Sequence, residues 1–189
     1  MSIKLIVTDL DGTFLNSNHV TIPQENIEAF RKAHEMGIKV AIASGRTKIL
    51  TDYLMEQLPF LDYLITSNGA VTYDVKTGEV VCQTLLDNEK SVEIFNILKD
   101  YNLIYEIYYK GDCYMNSESY SQFDENHVAP HIYRLLSNFI KEVSDLEKLI
   151  NGNGIEKLNI LTLSAEQRIE IESKIRDVAF ASSFPVTAG

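Results

Sequence analysis

Short, continuous apolar runs alternate with longer amphipathic stretches through the first third of the chain, and the change of period separates strands from helices. Lys4 to Thr8, Lys39 to Ala43 and Tyr63 to Thr66 are brief, mostly apolar and rich in β-branched residues, so they read as strands buried on both faces of a parallel sheet. Between the first two, Pro23 opens a helical pattern through Ile27, Phe30 and Ala33, and Gly37 closes it. A second helix is predicted from Ser44 to about Gln57, with Ile49, Leu50, Tyr53 and Leu54 on its apolar side. Strand, helix, strand, helix, strand implies right-handed crossovers, with all three carboxyl ends on one rim.

The pattern then changes. Val71 to Tyr73 and Val80 to Gln83 flank a Gly-bearing loop and predict a β-hairpin. Beyond it the chain reads as a second, α+β unit. Its predicted helices are Asn88 to Tyr101, Ser144 to Ile150 and Ala165 to Arg176. Its predicted strands are Ile104 to Lys110, Lys157 to Leu163 and Val178 to Ser183. The expected division is 1–83 and 84–189. Gly111 to Pro130 reads as a polar, aromatic loop carrying Tyr114, Glu118, Tyr120 and Phe123. Asn151 to Gly154 is a turn without a phosphate-cradling pattern.

Composition narrows the possibilities. A chain of 189 residues with 45% hydrophobic content can bury a core, and a formal charge of −10 disfavours nucleic acid or an anionic membrane as partner. No stretch approaches membrane-spanning length, the amino terminus has no signal-peptide pattern, and Cys82 and Cys113 lack metal-ligand spacing, which leads to the expectation of a cytoplasmic protein. His127 and His131 are four apart, but Pro130 between them argues against a helical zinc pair.

The densest chemistry lies at the ends of the three strands. Asp9 and Asp11 crowd two carboxylates at the carboxyl end of the first, where a cation or a shared proton would be needed to hold them together. Gly12 lets the chain turn sharply. At the second strand's end, Ser44 and Gly45 open a helix, a setting that suits an anion but equally suits a plain N-cap. Arg46 adds a charge able to fork onto phosphate oxygens or onto a surface carboxylate. Asn68, after the third strand, sits in an Asn-Gly turn that needs no ligand to explain it.

The run Asp9-Leu10-Asp11-Gly12-Thr13-Phe14-Leu15 resembles the first signature of the haloacid dehalogenase superfamily of phosphotransferases. Ala43-Ser44-Gly45-Arg46 and Ser67-Asn68-Gly69-Ala70 are similar to its Cof-type subgroup, in which a large α/β cap follows the third core strand. The resemblance implies an α/β, Rossmann-like core, here its first three parallel strands, with an inserted α+β cap. It implies a phosphatase acting on a small phosphorylated metabolite such as a sugar phosphate. Asp9 would be the nucleophile and Asp11 the acid and base, while Ser44, Gly45, Arg46, Asn68 and Gly12 would bind phosphate or substrate. A Mg²⁺ ion would lie on Asp9 and the Asp11 backbone carbonyl, and the 111–130 loop would select the leaving group.

The resemblance stops at two of four signatures. No Lys follows Lys174, no Gly-Asp-x-x-Asn-Asp pattern occurs, and Asp177 falls in the last predicted helix, so the chain is expected to be a truncated member lacking the rest of its core. Weak magnesium affinity, low activity and self-association through an exposed first strand are the expected consequences. The competing readings are an idle binding or regulatory module that keeps the fold, and a phosphomutase that passes phosphate from Asp9 to sugar.

Overall fold

The structure is a computed structural model that describes residues 2–179. It falls into two compact units that divide between Thr84 and Leu85.

In the first unit five strands form one sheet in the order β1 (Leu5–Thr8), β2 (Lys39–Ala43), β3 (Tyr63–Thr66), β4 (Val71–Asp74), β5 (Val80–Gln83). The first three are parallel, with Thr8 opposite Ile42 and Ala43 opposite Ile65, so their carboxyl ends share a rim as the alternation of elements requires. β4 and β5 return antiparallel. Helix α1 (Gln24–Glu35) buries Phe30 and Ala33, and the Phe30 ring lies 4.5 Å from that of Phe14. Val40, Ala41 and Ile42 of β2 are enclosed, as a central parallel strand should be.

Two sequence expectations need correction here. β1 is not buried on both faces, because among the described residues it pairs with β2 alone and is the sheet's edge, the exposed first strand also expected from the absent signatures; Leu5 is 49% and Val7 46% exposed. The helix expected from Ser44 to Gln57 shrinks to a 3-10 turn at Lys48–Leu50 and a single α-helical turn, α2 (Leu54–Gln57). Thr47 is extended, and the Thr51 hydroxyl donates to the carbonyls of Thr47 and Lys48, a local bond that competes with the helix ladder.

At the opposite rim Asp62 is buried at the foot of β3. Its carboxylate accepts from the Val40 N–H at 3.0 Å and meets Lys39 Nζ at 2.8 Å and Lys76 Nζ and His34 Nδ1 at 3.2 Å. Burial alone would raise its affinity for a proton, but these donors outweigh it and hold the carboxyl well below the ordinary carboxylate range.

The second unit opens with α3 (Asn88–Leu98), capped by Asp87 through the Lys90 N–H. A four-stranded sheet follows in the order β8 (Ile140–Val143), β7 (Asp112–Asn116), β6 (Tyr105–Tyr109), β9 (Lys157–Ile160). Tyr105, Ile107 and Tyr109 on one face of β6 join the core with Ile94, Phe95 and Leu98 of α3, with Leu146 and Ile150 of α6 (Leu146–Ile150), and with Ile171 and Ile175 of α7 (Ala165–Arg176). Alternation puts Glu106 and Tyr108 on the other face, where the Tyr108 hydroxyl and the Asn159 amide donate to the buried Glu106 carboxyl at 2.7 and 2.9 Å.

The segment read as a loop from Gly111 to Pro130 contains β7 and the helix α4 (Ser117–Gln122), and Pro130 begins a further helix, α5 (Pro130–Leu136). Its polar residues concealed a strand whose inward positions are only two, Cys113 and Met115. Val178 and Ala179 turn off the end of α7, and the remainder of the predicted last strand lies outside the described residues. No helix of the described residues is long and apolar enough to cross a membrane.

Candidate active site

Asp9 follows the last residue of β1, and the chain then swings round a wide turn closed by the Leu15 N–H on the Leu10 carbonyl at 2.9 Å. Gly12, at φ 75°, makes that turn in a region where a side chain would be strained. Leu10 and Phe14 are buried and anchor the loop, which leaves Asp9, Asp11, Gly12 and Thr13 exposed.

The end of β2 is tied to the end of β3. The Ser44 N–H donates to the Ile65 carbonyl, the Asn68 N–H to the Ser44 carbonyl and the Ser67 N–H to the Arg46 carbonyl, at 2.9, 3.2 and 2.8 Å. Ser44 is buried, and its hydroxyl accepts from the Arg46 N–H at 3.1 Å. Ser67, Asn68 and Gly69 all have positive φ, which turns the chain tightly from β3 into β4. The Asn68 side chain lies over Gly45, whose Cβ, if it had one, would stand 2.7 Å from Asn68 Oδ1.

Arg46 joins this pair of loops to the first. Its Nε donates to Asp11 Oδ2 at 2.9 Å and its Nη2 to Asp11 Oδ1 at 2.7 Å, a two-bond fork on one carboxylate. The same Nη2 reaches the His19 carbonyl at 2.8 Å, and Nη1 donates to the Tyr53 hydroxyl at 3.1 Å. His19 adds its own ring, with Nδ1 2.9 Å from Asp11 Oδ1. Partial burial pushes the Asp11 carboxyl upward, but the hydrogen bonds from Arg46 and His19 and the Arg46 charge overcome this and leave it below its ordinary value. Burial likewise raises the Tyr53 hydroxyl.

Thus Asp11, Ser44, Gly45, Arg46 and Asn68 meet through direct contacts, and Asp9 and Gly12 belong to the same exposed loop. In this state the Arg46 fork is filled by Asp11. Sequence reasoning missed His19 and Tyr53, whose partners depend on side-chain geometry. The only available signal was a polar stretch, Asn16 to His19, close behind the acidic loop. His127 Nδ1 lies 2.8 Å from Asp124 Oδ1.

The donors in reach of Asp9 bear on a metal. Among the described residues no three His, Cys, Asp or Glu side chains gather into a cage. Magnesium needs no such cage, since it keeps several waters and is commonly held by one or two carboxylates and a substrate phosphate. The Asp9 carboxylate and the Asp11 carbonyl therefore have the right chemistry for it, in a short donor set.

The family model of haloacid dehalogenase-like hydrolases matches residues 6–185. The chain belongs to this family. Its fold is that of solved haloacid dehalogenase-like hydrolases. Among similar proteins, phosphatase YwpJ of Bacillus subtilis is 35% identical over 105 residues, which cover 56% of this chain and 36% of the relative. The 5-amino-6-(5-phospho-D-ribitylamino)uracil phosphatase YcsE of the same organism is 42% identical over 74 residues, 39% of this chain and 29% of the relative. A solved haloacid dehalogenase-like hydrolase from Bacteroides thetaiotaomicron superposes with a TM-score of 0.72 at 25% identity, over 92% of this chain and 63% of that one. The chain spans about a third of the length of the curated relatives it matches.

Proposed function

We propose that this haloacid dehalogenase-like chain carries the phosphoryl-handling rim and the α+β cap of a magnesium-dependent phosphatase for a small phosphorylated metabolite. The observation that carries the reading is the joining of three strand-end loops, Asp11 to Arg46 and the Ser44–Arg46 backbone to Ser67 and Asn68, beside an exposed Asp9. The phosphorylated ribityl compound in the name of YcsE supports a sugar-like leaving group. The free thiols of Cys82 and Cys113 suit the cytoplasm.

An Asp9 oxygen attacks phosphorus in line as the bond to the leaving oxygen breaks, and Asp11, protonated on the oxygen it turns to the substrate, gives the leaving oxygen that proton. Asp11 then takes a proton from water, whose oxygen attacks the same phosphorus. The bond to Asp9 breaks and the carboxylate is restored. To reach the leaving oxygen, Asp11 Oδ2 must exchange the grip of Arg46 Nε for the substrate while Oδ1 stays held. Ser44 and the backbone of Gly45 hold the phosphoryl oxygens, and Asn68 faces the substrate. Magnesium on Asp9 and the Asp11 carbonyl would offset the repulsion between carboxylate and phosphate. So short a donor set implies weak affinity for the ion.

Hydrolysis of p-nitrophenyl phosphate with and without magnesium tests this. The expected result is slow, magnesium-dependent turnover that falls about a hundredfold or more in Asp9→Asn. Turnover indifferent to that substitution would refute it.

A further inference from the structure

The contact between His19 and Asp11 has no counterpart in the signatures that identify the family in this sequence, and the chain spends backbone strain to make it. His19 has φ 57°, a left-handed conformation uncommon for residues other than glycine. A dense local net holds it there. The Asn16 N–H donates to the Thr21 carbonyl at 2.8 Å and the His19 N–H to the Asn16 carbonyl at 2.9 Å, while Asn18 Oδ1 accepts from the N–H groups of Val20 and Thr21, each at 3.0 Å. The loop so formed grips the site at two points. Its His19 carbonyl takes Arg46 Nη2, and its His19 ring takes Asp11 Oδ1. The side chain is otherwise 61% exposed, so burial does not account for its placement.

Among the described residues Asp11 Oδ2 has one donor, Arg46 Nε, whereas Oδ1 has two, Arg46 Nη2 and His19 Nδ1. A carboxylate gripped by one planar fork can still swing in the plane of that fork. A third donor from a separate loop removes the freedom. The ring must carry its proton on Nδ1 to donate to an ionised carboxylate, which leaves Nε2 as the bare nitrogen of the neutral ring.

We infer that His19 is a positioning residue of the phosphatase site, holding Asp11 by its Oδ1 so that the carboxylate is aligned for proton transfer. This rests on the proposed role of Asp11. It acts through Asp11 and touches neither phosphorus nor the leaving group.

Three substitutions separate donor from backbone. His19→Gly relieves the positive φ and removes the donor. His19→Ala removes the donor and keeps the strain. His19→Asn keeps a donor near the place of Nδ1 in a residue that tolerates left-handed backbone. With p-nitrophenyl phosphate and magnesium, kcat falls about tenfold or more in both His19→Gly and His19→Ala, stays within about threefold in His19→Asn, and KM hardly moves. A purely structural role predicts the reverse, with His19→Gly equal to the parent chain, and that result overturns the inference. A second measurement needs no activity. The imidazole ¹⁵N spectrum of the neutral ring shows His19 protonated on Nδ1 in the parent chain and released to the Nε2–H form in Asp11→Ala. An Nε2–H ring in the parent overturns the inference as well. Loss of all Asp9-dependent turnover would instead strike the proposed function, with the ring spectrum still deciding whether His19 holds Asp11.

Discussion

Gly45 and Asn68 approach each other so closely that a Cβ on the glycine would stand 2.7 Å from Asn68 Oδ1, and this locks the loop after β2 to the turn after β3. The nearest atom is the tip of an exposed side chain, so Gly45→Ala displaces the Asn68 amide more than it disturbs the fold. We expect a stability loss of about 1 kcal/mol or less, because the tip can swing aside into solvent. Orthophosphate binding, followed by calorimetry, should weaken severalfold. An unchanged affinity would mean that Asn68 does not serve the anion site.

The Asp62 carboxylate should set part of the acid limit of stability. Its folded-state pKa is depressed, so the stabilisation is present above about pH 4, the unfolded value, and is lost as pH falls toward the lower folded value. Lys39 and Lys76 reach it from solvent and are partly screened, so Asp62→Asn should cost about 1–3 kcal/mol at pH 7. Urea unfolding at pH 7 and pH 3 checks this, and the gap between parent and variant should narrow in acid. A gap that stays constant with pH contradicts the linkage.

The free side of β1 should lead the chain to associate with itself. Ile3, Leu5 and Val7 are 69%, 49% and 46% exposed along an edge that, among the described residues, pairs only with β2. Such an edge is a template for another strand, and a lysine within it discourages pairing. Light scattering at rising concentration should show association of the parent chain and less of it in Val7→Lys. A monomer at high concentration would dismiss this surface.

What the sequence made legible follows from which physical signals are local. The three strand-end loops could be read because short apolar runs end abruptly in Asp9, Ser44 and Ser67, and parallel strands bring such ends to one rim whatever lies between them. The β4–β5 hairpin was legible from its Gly-bearing loop. The helix after Ser44 was misread because its apolar spacing is helical while Thr51 diverts backbone carbonyls of the same stretch. β7 was hidden by Asp112, Tyr114 and Asn116, which alternate with its two buried residues. The exposed edge of β1 was expected from the absent family signatures and not from the run itself, since an apolar run looks the same at an edge as in the middle. His19 lay beyond reach because its role depends on one positive φ and on the direction of an imidazole nitrogen.

The central claim, that Asp9 takes the phosphoryl group onto its own carboxylate, is tested most directly by trapping. The chain is incubated with magnesium and acetyl phosphate, quenched, and treated with borohydride, which reduces an aspartyl phosphate to homoserine. Peptide mass spectrometry should then find homoserine in place of aspartate at position 9 of the parent chain, and none in Asp9→Asn. Homoserine at position 11 with position 9 untouched would contradict the account.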